Sequence, residues 1–141
     1  MGQAREVMDR LTEAAMKGDF DTLASLHADD AVSVTPDQGE LVGRQQAVDY
    51  LMGFRDAFPD LAWESLHSHE SGDTAIDEGY VIGTHTQTLQ VPGQEPLPAI
   101  GKSIRIRSAD AITVRGGQVA SHRYYFDQFE FLGQLGLLPE M

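Results

Sequence analysis

At 141 residues, with 41% hydrophobic and 23% charged side chains, the chain has the size and composition of one globular domain with a real core. A formal net charge of -12 disfavours nucleic acid and anionic membrane as partners, and no stretch has the length and apolarity of a membrane span. The absence of cysteine excludes disulfides and thiolate chemistry.

The first residues, MGQAREVMDRL, lack the apolar core of a signal peptide, and Glu6 stands where a myristoylation motif after Gly2 needs Ser or Thr. The expected location is cytoplasmic. Val7, Met8, Leu11 and Ala15 recur at helical spacing and predict a helix from Arg5 to Met16, stopped by Lys17-Gly18. A second helix is expected from Phe20 to Leu26 with Asp19 as its N-cap. Val32 to Thr35 reads as a brief strand ended by Pro36. A third helix follows from Arg44 to Ala57, its buried side marked by Val48, Leu51, Met52 and Phe54, with Pro59 just past its end.

Beyond that point the period changes from 3.6 to 2. Strands are expected over Ala62–Glu70, Thr74–Leu89, Lys102–Val114 and Gln118–Phe126. Helices first and long strands afterwards predict one α+β domain over residues 1–141, an antiparallel sheet with helices on one side. VPGQEPLPAIG reads as a stiff loop between two of these strands, and QFEFLGQLGLLPEM as a segment packed on the sheet or on a second subunit.

In the third long strand Ile104, Ile106, Ser108, Asp110, Ile112 and Val114 share one face, so a carboxylate sits among isoleucines. Unpaired, it would cost several kcal/mol or stay protonated. A three-residue turn Arg115-Gly116-Gly117 supplies a partner. It pairs Val114 with Gln118, Ile112 with Ala120, Asp110 with His122, Ser108 with Tyr124 and Ile106 with Phe126. A two-residue turn Gly116-Gly117 would set Asp110 against Arg123 and put the inward faces out of phase. The first register is therefore expected, with His122 and Tyr124 inward beside Asp110. Arg105, Arg107, Arg123, Tyr125 and Asp127 then form an outer face suited to a homodimer interface.

The ordered set LHADDAV, AFPDL, GTHTQTL, GKSIRIRSAD, GGQVASHRYYFD and QLG resembles the SnoaL-like polyketide cyclase family of the nuclear transport factor 2-like superfamily, over nearly the whole chain. The resemblance implies a cone-shaped, strongly curved antiparallel sheet with N-terminal helices packed over an apolar pocket, often dimeric. It implies cofactor-free acid/base chemistry, of cyclase or isomerase type, on a hydrophobic polyketide-like carbonyl compound. In the family's ester cyclases an acid/base aspartate closes the motif H-R-D on the last strand, and a histidine faces it from the preceding strand. Those positions fall here on Tyr124 and Asp110, while the motif histidine is His122. A tyrosine with its ordinary pKa of about 10 is a poor base but a good donor to a developing enolate.

Asp110 and His122 read either as an acid/base dyad, assisted by Tyr124, or as a satisfied polar pair that fixes register. His85 matches the family's recurring histidine and reads as a substrate contact or a core residue. Trp63, Phe54, Phe58 and Phe126 are candidate pocket aromatics. His67 and His69 share a strand face, but no third ligand is spaced to join them, so no metal is expected. No cofactor is expected, and the expected partner is a small hydrophobic ligand. HRYYFD is also close to the W-R-D-Y-F-D of limonene-epoxide hydrolase, which implies epoxide opening as an alternative. That enzyme's Arg-x-Asp pair is not evident here. A non-catalytic ligand-binding or dimerisation domain is the third reading.

Overall fold

The computed structural model describes residues 3–89 and 95–137. Helix α1 (Gln3–Lys17) buries Ala4, Val7, Met8, Leu11, Ala14 and Ala15, a stripe at helical spacing along one side. Gly18, at φ 72°, turns the chain out of it through the left-handed region. Helix α2 (Phe20–Leu26) is capped by Asp19, whose carboxylate accepts from the Thr22 backbone N–H at 3.2 Å and from its hydroxyl at 2.7 Å. Strands β1 (His27–Thr35) and β2 (Gly39–Val42) form a hairpin ahead of α3 (Arg44–Ala57). Strands β3 (Ala62–Ser71), β4 (Thr74–Thr84), β5 (Ser103–Arg115) and β6 (Gln118–Phe126) follow, and α4 (Gln128–Gln134) comes last.

The six strands make one open sheet in the order β2-β1-β6-β5-β4-β3. Pairing is antiparallel throughout except between β1 and β6, which run parallel. The α+β class and the position of the helices are as the sequence predicts. The brief strand expected at Val32 begins instead at His27, and β2 was not foreseen. Both carry polar residues, HADD and GE, that break the alternation by which strands are recognised. The fourth predicted boundary, at Leu89, is reached by β4 only as far as Thr84. The predicted loop VPGQEPLPAIG lies partly outside the described residues, as do Gly2 and the final four residues.

Two apolar clusters fill the inner side. One joins α1 and α2 to Ile112, Val114 and Val119; the other gathers Phe58, Leu89, Ile104, Ile106, Phe131 and Leu135. Across the outer ends of α1 and β4, the Arg5 guanidinium meets the Asp77 carboxylate at 2.8 and 3.0 Å, and both side chains are buried.

The β5–β6 register corrects the expected one. Arg115 pairs with Gln118 across a two-residue turn, in which Gly116 and Gly117 take φ of 60° and 80°. Positive φ at both central residues is what a tight hairpin turn with the sheet's own twist demands, and two glycines meet it without steric cost. The phase problem that argued against this turn is removed by a bulge. Val119 pairs with Val114 and Ser121 with Thr113, so Ala120 is an extra residue. Thereafter His122 stands opposite Ile112, Tyr124 opposite Asp110, and Phe126 opposite Ser108. Inward residues still meet inward residues, two positions away from the predicted partners.

Candidate active site

Between the two apolar clusters lies a cavity of about 140 Å³. Helix α1 supplies Leu11, Thr12, Ala15 and Met16; α3 supplies Tyr50, Leu51 and Phe54; α4 supplies Phe131. The sheet contributes Trp63, Val81, Ile104, Ile106 and Phe126. Its polar end is formed by Ser108, Asp110, His122 and Tyr124. Among the described residues, Asp110 is the only carboxylate in this wall, and no lysine or arginine belongs to it.

His122 Nε2 and Asp110 Oδ2 are 2.7 Å apart. With Ile112 opposite His122, the contact is a diagonal one, within reach of a long side chain on an adjacent strand. The imidazole is buried, whereas the carboxylate keeps 23% of its side chain exposed. Asp110 therefore presents the accessible atom of the pair, and His122 holds it from behind. His122 Nδ1 is buried and has no partner among the described residues.

Tyr124 stacks on His122 with ring centroids 3.9 Å apart and planes at 22°. Its other neighbour is the edge of Tyr50, 5.0 Å away. The Tyr124 ring forms cavity wall, but its hydroxyl oxygen is buried without a protein partner among the described residues. Burial, followed by the nearby Asp110 and Asp37 carboxylates, pushes this phenol well above its ordinary range. It stays a neutral proton donor. Tyr50 donates its hydroxyl to Asp37 Oδ1 at 2.8 Å, and burial likewise raises its pKa.

Of the residues singled out from sequence, the structure brings Asp110, His122, Tyr124, Phe54, Trp63 and Phe126 to one cavity. Phe58 and His85 do not belong to its wall. They are fully buried and stack on each other at 5.3 Å in the second cluster, where burial lowers the imidazole's pKa. His67 and His69 face solvent on β3, and no group of three or more metal-ligating side chains gathers among the described residues. On the outer face Arg105 pairs with Glu64 at 2.6 Å and lies over the Tyr80 ring at 4.0 Å. Asp127 caps α4, accepting from the Phe129 and Glu130 backbone N–H groups at 2.8 and 3.3 Å.

Sequence reasoning missed Tyr50, Phe131 and the α1 residues. Tyr50 carried a signal, since it precedes Phe54 by four positions and so shares its helical face. Phe131 lies in the QFEFLGQLGLLPEM segment read as packing on the sheet or on a second subunit, but nothing in that segment marked it as cavity wall.

The chain matches the family model of the SnoaL-like polyketide cyclase over residues 5–135. Among solved structures, IdmH from Streptomyces antibioticus, a proposed polyketide cyclase, is 25% identical with a TM-score of 0.76, covering 96% of this chain and 99% of its own. A proposed SnoaL-like polyketide cyclase from Jannaschia sp. CCS1 is 20% identical with a TM-score of 0.82, covering 97% and 94%. An epoxide hydrolase of M. tuberculosis, like limonene-epoxide hydrolase, shares the fold at 17% identity and a TM-score of 0.70, covering 95% and 90%. No curated protein matches the chain.

Proposed function

The chain belongs to the SnoaL-like polyketide cyclase family, and we propose that it moves a proton at the carbon beside a carbonyl group of a small, uncharged, hydrophobic compound. The observation that carries this reading is the half-open Asp110 carboxylate at the end of an apolar cavity, hydrogen-bonded at 2.7 Å to a buried His122. Asp110 takes the proton, and the electron pair left on carbon passes to the carbonyl oxygen as an enolate. Attack of that carbon on a second carbonyl of the same molecule closes a ring; return of the proton to a different carbon isomerises it. In ring closure Asp110 returns the proton to the alkoxide oxygen left by the attacked carbonyl, and in isomerisation to the other carbon, so no cofactor enters the balance. Direct base chemistry by His122 is less well served, because its Nε2 is bonded to Asp110 and its Nδ1 is buried. Tyr124 supplies a stacking surface for that imidazole and a phenol that remains protonated.

A cavity of this size suits a ligand of one or two rings. The absence of basic side chains from its wall favours neutral compounds over carboxylates and phosphates. Epoxide opening, the chemistry of the M. tuberculosis neighbour, needs both an activated water and an acid. With a single carboxylate in the wall, proton transfer at carbon is the simpler task. A screen of neutral dicarbonyl esters of one or two rings, followed for ring closure or isomerisation, tests the reading. Turnover of any of them supports it. Binding seen through Trp63 fluorescence with no turnover across the series would instead indicate a ligand-binding domain.

A further inference from the structure

On the paired strands β1 and β6, three buried side-chain atoms have no hydrogen-bond partner among the described residues: His122 Nδ1, Ser33 Oγ and His27 Nε2. Their side chains are sealed from solvent, at 2%, 1% and 0% exposure. Ser33 stands opposite His122 in the parallel β1–β6 pairing, so their side chains are neighbours on the inner face. His27 opens the same strand opposite the buried Val119, three residues before His122 on β6, so its ring also lies on the inner face.

Tautomers decide what can join the three atoms. His27 Nδ1 lies 2.7 Å from the Leu23 carbonyl oxygen, which can only accept. Nδ1 therefore carries the hydrogen and Nε2 is a bare lone pair. His122 Nε2 faces the Asp110 carboxylate, which when ionised also only accepts. In the neutral ring Nδ1 is then the bare nitrogen. Two acceptors cannot bond each other, and the Ser33 hydroxyl has one hydrogen to give. A water molecule has two. It donates one to each imidazole and accepts from Ser33, making the three bonds typical of a buried water.

We infer that His27, Ser33 and His122 enclose one buried water, which makes His27 and Ser33 positioning residues for the Asp110–His122 pair. Their consequence for catalysis rests on the reading of Asp110 as the base; the water site does not. Donation from the water keeps the proton off Nδ1 and leaves Nε2–H aligned on the carboxylate. Burial, the largest influence on His27, keeps that ring neutral and so able to accept. The second ring thus acts through the first without touching the cavity.

A crystal structure of the full chain should show one ordered water within about 3.2 Å of all three atoms. Nitrogen-15 NMR of histidine-labelled protein should show Nε2 protonated in His122 and Nδ1 protonated in His27. His27→Asn retains a donor for the Leu23 carbonyl and removes Nε2; Ser33→Ala removes the hydroxyl. Each should move the His122 Nδ1 resonance, and Ser33→Ala gives the answer if His27→Asn fails to fold. A Ser33 hydroxyl bonded directly to His122 Nδ1, a proton on Nδ1, or an unmoved resonance in the folded variants would overturn the inference. Asp110→Asn separates it from the functional reading. In that variant the water and the His27 signals should persist, whereas undiminished activity would remove Asp110 as base and leave the water site standing.

Discussion

His122 reaches Asp110 from a position opposite Ile112, and Asp110 itself stands opposite Tyr124. The hydrogen bond therefore runs diagonally, tying together two inward-facing rungs of the β5–β6 ladder that flank the Ala111–Arg123 rung. This leaves the directly opposed place to an aromatic ring, so Asp110 meets a phenol on one side and an imidazole on the other. It also meets Asp77 across β4, whose charge is taken up by Arg5.

That ion pair gives a first prediction. Arg5→Met leaves the Asp77 carboxylate buried with no guanidinium, which should cost about 3–5 kcal/mol. The double variant Arg5→Met/Asp77→Leu should recover most of the loss, because neither charge then remains. Urea denaturation of the three proteins measures both effects. A loss near zero in Arg5→Met would show that water reaches Asp77.

Gly79 gives a second. A Cβ at this position would lie 2.1 Å from the Glu64 carbonyl oxygen and 2.9 Å from the Trp63 ring. Gly79→Ala must push β3 away and move a wall of the cavity, at about 1–3 kcal/mol for overpacking. Trp63 is the sole tryptophan, so its emission should shift in the same variant. Unchanged emission together with wild-type stability would contradict the close approach of these two strands.

Histidine burial sets the third, a pH dependence. Burial lowers the proton affinity of both His27 and His85 in the folded chain. Below about pH 6.5 the unfolded chain binds protons that the folded one refuses. The stabilisation is thus complete above that pH and is lost as pH falls, by at most about 1.4 kcal/mol per pH unit for each ring. His27→Asn should make the decline in urea midpoint shallower between about pH 7 and 5. An equal slope in wild type and variant would show that His27 is free to charge.

The outer face of the sheet gives the fourth. Tyr125 is 59% exposed and Val34 43% on strands that neighbour each other. A homodimer formed through this face is the expected state, read by light scattering at micromolar concentration. Monomer mass in the wild type would contradict it, as would a dimer undisturbed by Tyr125→Asp.

Much of this was legible in the sequence because it depends on periodicity and on short-range chemistry. The helices at Phe20–Leu26 and Arg44–Ala57 follow from spacing and from Asp19. The strand Gln118–Phe126 follows from alternation. Asp110 among isoleucines demanded a partner and found His122. The route between them was not legible. A bulge such as Ala120 has no residue signature of its own, and it allowed the two-glycine turn that alternation alone seemed to forbid. Of the two readings of His85, substrate contact or core residue, the structure takes the second: β4 ends at Thr84, and His85 lies past the cavity, stacked on Phe58 in the core. Arg5–Asp77 joins residues 72 positions apart, a pairing that no local pattern announces.

The central claim is that Asp110, and not His122, exchanges the proton with the substrate. Its most direct test is the rate at which solvent deuterium enters the carbon beside the carbonyl of a bound neutral ketone, followed by NMR in wild type and in Asp110→Asn. General base catalysis is worth about 10²–10⁴-fold, so incorporation in Asp110→Asn should fall by that factor while Trp63 fluorescence still reports binding. Incorporation at the wild-type rate in a folded Asp110→Asn protein would contradict the account.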